Sequence, residues 1–241
     1  MTRDLLVRGL LAGLFAALLA AVFARLVGEP QVDLAIGFEA ARDRMAHMAE
    51  EPELVSRAIQ KSLGLFTAVI LYGSAVGGIF SLVFALAYGR LGRIGPRSLS
   101  LLLAAAGFLA VSLAPALKYP PNPPAVGLHE TVVFRTETYF GMIAFSLAAL
   151  VAAIQLGRWA ARRWGALNGV LAAAALYVLL VAAVQATLPV INEVPPDFPA
   201  VVLWRFRLAA LGLQVVLWSA IGVSFGWLAE RLLKRGRRGF A

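Results

Sequence analysis

Six runs of apolar residues alternate with charged or proline-rich segments along the chain, at about Leu5–Val27, Leu63–Ala87, Leu99–Leu117, Tyr139–Leu156, Leu167–Leu188 and Leu208–Leu228. Roughly 20 helical residues cross a hydrocarbon core of about 30 Å, so the pattern predicts six transmembrane helices. The first run exceeds the roughly 7 to 15 apolar residues of a signal peptide and offers only Val22-Phe23-Ala24 as a weak cleavage site, so it reads as a retained span. Between the first two runs, residues 28–62 carry a different periodicity. Leu34, Phe38, Ala41, Met45 and Met48 recur at steps of four and three and predict one apolar stripe of an amphipathic helix, with Pro52 suited to the first turn of the helix that follows.

Proline sharpens two of the other connections. Nine of the twelve prolines fall in the stretch from Ala114 to Val126 and the stretch from Pro189 to Pro199. Pro121-Asn122-Pro123-Pro124-Ala125-Val126 is echoed 75 positions later by Pro196-Asp197-Phe198-Pro199-Ala200-Val201, which raises a parallel repeat of spans three and four in spans five and six. Proline fixes φ and lacks an N–H, so both stretches are expected to be stiff, extended connections and not helix interior.

Composition agrees with this reading. The 241 residues are 61% apolar and 15% charged, against about a quarter charged in a soluble domain, which makes the chain an all-α integral membrane protein with a single membrane domain over 1–241. There is no cysteine, hence no disulfide and no thiolate metal site. A net charge of +9 does not imply nucleic acid, because the basic residues are dispersed between apolar runs instead of forming a patch. The bilayer is the expected partner.

Charge also orients the chain. Thirteen of the 22 basic residues, with only Asp4 and Glu230 as acids, lie before span one, between spans two and three, between four and five, and after six. Lysine and arginine resist translocation, so both termini are expected in the cytoplasm, with the amphipathic helix and the two proline-rich loops facing outward. Gly9 and Gly13, Gly73 and Gly77, and Gly222 and Gly226 are pairs spaced for close helix packing, either within the chain or at the face of a homo-oligomer.

The candidate chemistry is outward. Asp43, His47 and Glu51 are i, i+4 neighbours, and Glu50 lies three residues from His47, so an imidazole and carboxylates share one helix face and form a candidate N/O site for a divalent transition metal. The same face could equally be solvated and paired with Arg42, Arg44 or Arg57; Met45 and Met48 read as packing residues. A second candidate set is His129, Glu130, Glu137, Asn192 and Glu193, around the mouths of the last two hairpins. There Arg135, Arg205 and Arg207 could instead pair with Glu130 or Glu193 and clamp the loops. No ionisable side chain lies near the middle of a span, which disfavours a proton pump with a midplane carboxylate. The chain has no phosphate-binding loop, and its two histidines give no protease pattern.

Leu117-Lys118-Tyr119-Pro120-Pro121-Asn122-Pro123-Pro124-Ala125-Val126-Gly127, Arg135-Thr136-x-x-Tyr139, Leu188-Pro189-x-x-Asn192-Glu193-Val194-Pro195-x-x-Phe198-Pro199 and Trp204-x-Phe206-Arg207-Leu208 together resemble the CbtA family of predicted cobalt transporter subunits. The resemblance extends from the arginine-flanked first span to Gly222-x-x-Phe225-Gly226. It implies a multispanning inner (plasma) membrane protein that takes up cobalt or a related divalent cation as cargo, holds no permanent cofactor, and works beside a small one-span, histidine-bearing CbtB-type partner. Some family members have a histidine-rich first outward segment; here it holds only His47. The alternatives are a non-transporting accessory that binds a partner through its outer loops, and a lipid-modifying enzyme that uses Arg135, Arg205 and Arg207 on phosphate.

Overall fold

The computed structural model describes residues 2–45, 55–92 and 94–238. Every regular element among them is helical, and six helices are long and apolar enough to cross a membrane: α1 Thr2–Met45, α2 Arg57–Ala87, α3 Pro96–Lys118, α4 His129–Trp164, α5 Ala166–Thr187 and α6 Ala200–Lys234. Most overrun their apolar stretch, because a charged residue ends solubility in lipid without ending a helix. The 44 residues of α1 measure about 66 Å at 1.5 Å per residue, twice a hydrocarbon core. The amphipathic helix is therefore a direct continuation of the first span.

Its covered face differs from the expected stripe. Leu34 and Met45 are 53% and 74% exposed, whereas Ala35 is buried and Phe38 meets Phe198 edge to face at 5.0 Å. A wide π turn at Ala24–Gly28, where the Glu29 N–H reaches back five residues to the Ala24 carbonyl, adds a residue to the helix and shifts its facing register. Met48 lies outside the described residues.

The same device admits proline. Pro30 follows that turn, and Pro115 follows a second one at Phe108–Leu113, inside α3. Proline lacks an N–H and its ring crowds the carbonyl four residues back. A wide turn there relieves that crowding, so Pro115 sits in helix where an extended connection was expected, and the non-helical segment begins only at Tyr119.

The chain divides into two compact units. The first comprises α1, α2, α3 up to Phe108, residues 123–125 and the chain from Phe198 on. Its helices are joined through small residues. A Cβ added to Gly77 would lie 2.6 Å from the Gly13 Cα, and one added to Gly73 would lie 2.7 Å from the Ala17 Cβ, so α1 and α2 touch backbone to backbone. On α6, Gly222 faces the Ala104 Cβ of α3, and its carbonyl accepts a 2.7 Å hydrogen bond from the buried Ser100 hydroxyl. All three predicted glycine pairs are thus used within the chain. Phe80, Phe84 and Phe225 pack edge to face, with centroids 5.0 and 5.4 Å apart. Arg97 pairs with Glu230 at 2.7 Å, so the start of α3 meets the end of α6 and two of the basic segments share one end of this unit.

The second unit holds α3 from Leu109, α4, α5 and the chain between them up to Asp197. Trp164 and Ala166 are separated by Gly165 alone, whose φ of 89° reverses the chain between α4 and α5 without a loop. Gly157 and Gly169 then lie against each other: a Cβ on Gly169 would be 2.6 Å from the Gly157 carbonyl. This pair was not among those singled out from sequence, because its members fall on different helices. Ala114, Met142 and Val181 form the buried centre.

Replacing Gly77 by Val drives a branched side chain into the α1 backbone and is expected to cost at least about 1–3 kcal/mol. Gly37→Ala, where an added Cβ meets nothing within 4 Å, is expected to be neutral or stabilising by up to about 1 kcal/mol. Thermal unfolding in detergent checks both: an unchanged midpoint for Gly77→Val contradicts the close crossing.

Candidate functional site

The loops of the second unit are held by a clamp centred on Glu193. Its Oε2 accepts the Leu128 N–H at 2.8 Å and lies 3.4 Å from Nη1 of Arg135. Nη2 of Arg135 donates to the Leu128 carbonyl at 3.1 Å, and the Thr131 hydroxyl lies 3.0 Å from the same carbonyl. Leu128 is therefore gripped through both of its backbone groups. The Arg135 guanidinium lies over Gly127, whose φ of 121° favours glycine; a Cβ there would also come within 3.0 Å of Arg135 Cζ and displace the guanidinium. Tyr119 adds a second tie between the proline segments by donating its hydroxyl to the Pro189 carbonyl at 3.1 Å.

The Glu193 side chain is only 8% exposed. The Thr131 hydroxyl first, then the Leu128 N–H and the Arg135 charge, hold its carboxyl below the ordinary value, and burial opposes them without prevailing. Glu193 is thus an ionised, hydrogen-bonded loop anchor. The clamp foreseen for the arginines is realised by Arg135 with Glu193.

The other sequence-predicted residues of this set surround that anchor in the chain. His129 and Glu130 occupy the first turn of α4, between Leu128 and Thr131, and both are exposed, as are Glu137 and Asn192. Among the described residues no three of histidine, aspartate and glutamate are gathered closely enough to hold a metal ion. In the first unit Asp43 is half-buried near the end of α1, and its expected companions His47, Glu50 and Glu51 lie outside the described residues.

A second charged cluster was not anticipated. Arg57 of α2 pairs with Glu29, which is buried, and its Nε lies 3.1 Å from Asp33, which Lys61 also approaches at 3.5 Å. The signal was in the spacing: two acids four apart on α1 match two bases four apart on α2. Some polar groups inside the spans join helices, while Ser81 and Ser224 bond carbonyls of their own helix. Ser146 and Tyr177 share a 2.8 Å hydrogen bond, and Gln185 donates to the Ala114 carbonyl at 2.8 Å, just before the proline of α3.

The family model described as "Probable cobalt transporter subunit (CbtA)" matches residues 2–230 of the chain. No curated protein and no solved structure matches it.

Because its pKa is lowered by folding, Glu193 contributes stability that is complete above the ordinary carboxylate value of about 4.3 and is lost as pH falls through the lowered one. Exchange of the Leu128 amide, corrected for its intrinsic rate, is expected to stay slow to below that value in the wild type. In Glu193→Ala it should be about 10- to 100-fold faster at neutral pH, the worth of a charge-assisted hydrogen bond. Equal exchange in the two proteins contradicts the clamp.

Proposed function

The chain belongs to the CbtA family, and from that premise we propose that it is the membrane subunit of an uptake system for cobalt or a related divalent cation. The observation that carries this reading is the extent of the family match, which spans all six apolar helices instead of a single motif. In this proposal both termini are cytoplasmic, the membrane is the inner (plasma) membrane, and a small one-span CbtB-type subunit completes the system. The segregation of thirteen basic residues onto the two termini and alternate connections supports the orientation.

The cation is cargo, so its ligands must bind and then release it. Exposed groups suit that task. His129, Glu130, Glu137 and Asn192 offer one nitrogen and several oxygens that can exchange with the water shell of an arriving ion, and imidazole favours a transition metal over magnesium or calcium. Glu193, committed to Leu128 and Arg135, serves this set by fixing the turn from which His129 and Glu130 project. Asp43, His47, Glu50 and Glu51 form the second proposed capture face. Attraction to the carboxylates raises the local concentration of cations and requires no strong resting site.

Cobalt accumulation in cells that depend on this chain tests the ligand assignment. His47→Ala/His129→Ala is expected to reduce accumulation at limiting cobalt by at least about fivefold, as a loss of roughly 1 kcal/mol in cation affinity would. Accumulation equal to wild type, at equal protein in the membrane, removes the two histidines from the pathway.

A further inference from the structure

Where α1 and α2 pass from apolar to charged sequence they leave an open cleft of about 300 Å³, lined by Arg25, Lys61, Ser62, Leu63 and Phe66. Both helices widen at this level, into the π turns Ala24–Gly28 and Gln60–Gly64, so four of the five lining residues stand on departures from the regular helix. Such turns re-aim side chains and recur at functional sites.

Among the described residues the charges around the cleft do not cancel. Arg57 is taken up by Glu29 and Asp33, and Lys61 reaches Asp33 at 3.5 Å with two of its three donors to spare. Arg25 is exposed and makes no ion pair with a described residue. Among the described residues three bases thus face two acids. The hydroxyl of Ser62 donates to the Ala58 carbonyl at 2.6 Å, which leaves the guanidinium and the ammonium as the donors the lining offers. Beside them in the lining Leu63 is 73% exposed and Phe66 is half-buried. A ligand that satisfies both halves of the site carries an anionic, oxygen-rich group attached to hydrocarbon.

We propose that this cleft binds the phosphate of an anionic phospholipid, with Arg25 and Lys61 as its ligands and an acyl chain lying along Leu63 and Phe66. The position fits, since Arg25 and Lys61 lie within two residues of the limits of the apolar runs of α1 and α2, at headgroup depth. The site is independent of the cation reading.

Native mass spectrometry of the purified full-length chain, titrated with phosphatidylglycerol or phosphatidylcholine, tests it. The wild type is expected to retain phosphatidylglycerol preferentially, and Arg25→Gln/Lys61→Gln to bind it about 30-fold more weakly. The charge-preserving Arg25→Lys/Lys61→Arg should stay within about threefold of wild type, and Arg158→Gln/Arg162→Gln, which removes cations elsewhere, within about twofold. Should the double glutamine variant fail to fold, Arg25→Gln alone, which breaks no ion pair among described residues, should weaken binding about fivefold. Retention equal to wild type in the glutamine variants overturns the site. Displacement of the lipid by about 10 mM inorganic phosphate, or an equal loss in Arg158→Gln/Arg162→Gln, overturns the assignment to a lipid headgroup.

Discussion

Helices in a bilayer gain nothing from hiding leucine from lipid, so something other than the hydrophobic effect must bring them together. In this chain it is the approach of backbone to backbone at glycine. Gly13 and Gly77 bring α1 and α2 into contact, Gly222 does the same for α6 against α3, and Gly157 and Gly169 do it for α4 and α5. Large apolar side chains then point outward: Leu171, Val178 and Leu179 of α5 are each more than half exposed, as lipid-facing residues should be. Hydrogen bonds from Ser100 to Gly222 and from Gln185 to Ala114 work only because the helices are already this close.

The second constraint is that backbone polar groups in the spans must be satisfied without water. Prolines sharpen it, and the chain answers with wide turns. One precedes Pro30 and another precedes Pro115. Near the latter, the Gln185 amide of α5 donates to the Ala114 carbonyl of α3. Beyond the apolar runs the chain is fixed by ionic chemistry instead. Glu193 and Arg135 hold Leu128, and Glu29 and Asp33 hold Arg57.

Much of this was legible in the sequence, for identifiable reasons. The six spans were visible because twenty consecutive apolar residues have few other uses in a protein. The glycine pairs were visible because a four-residue spacing places both on one face. The register of the amphipathic segment was not, since a periodicity count assumes an uninterrupted helix and the turn at Ala24–Gly28 breaks that assumption. Pro115 misled for the same reason. Arg135 and Glu193 could be proposed as partners, but the grip on Leu128 could not, because a backbone N–H has no signature in sequence. The exposed candidates His129, Glu130, Glu137 and Asn192 stand beside that anchor, and their chemistry is read from residue type and exposure.

The chain belongs to a family described as a probable cobalt transporter subunit and has six helices long and apolar enough to cross a membrane; the proposed transport, its cargo and its direction rest on whether it moves the ion. Reconstitution decides this most directly: the purified chain in liposomes containing a cobalt-quenched dye, with and without a one-span partner, and with the outside-facing fraction measured. The account predicts protein-dependent quenching by cobalt that magnesium does not compete away at equal concentration. Folded, inserted protein that gives no quenching above empty liposomes in either preparation contradicts it, and leaves the chain a non-transporting accessory.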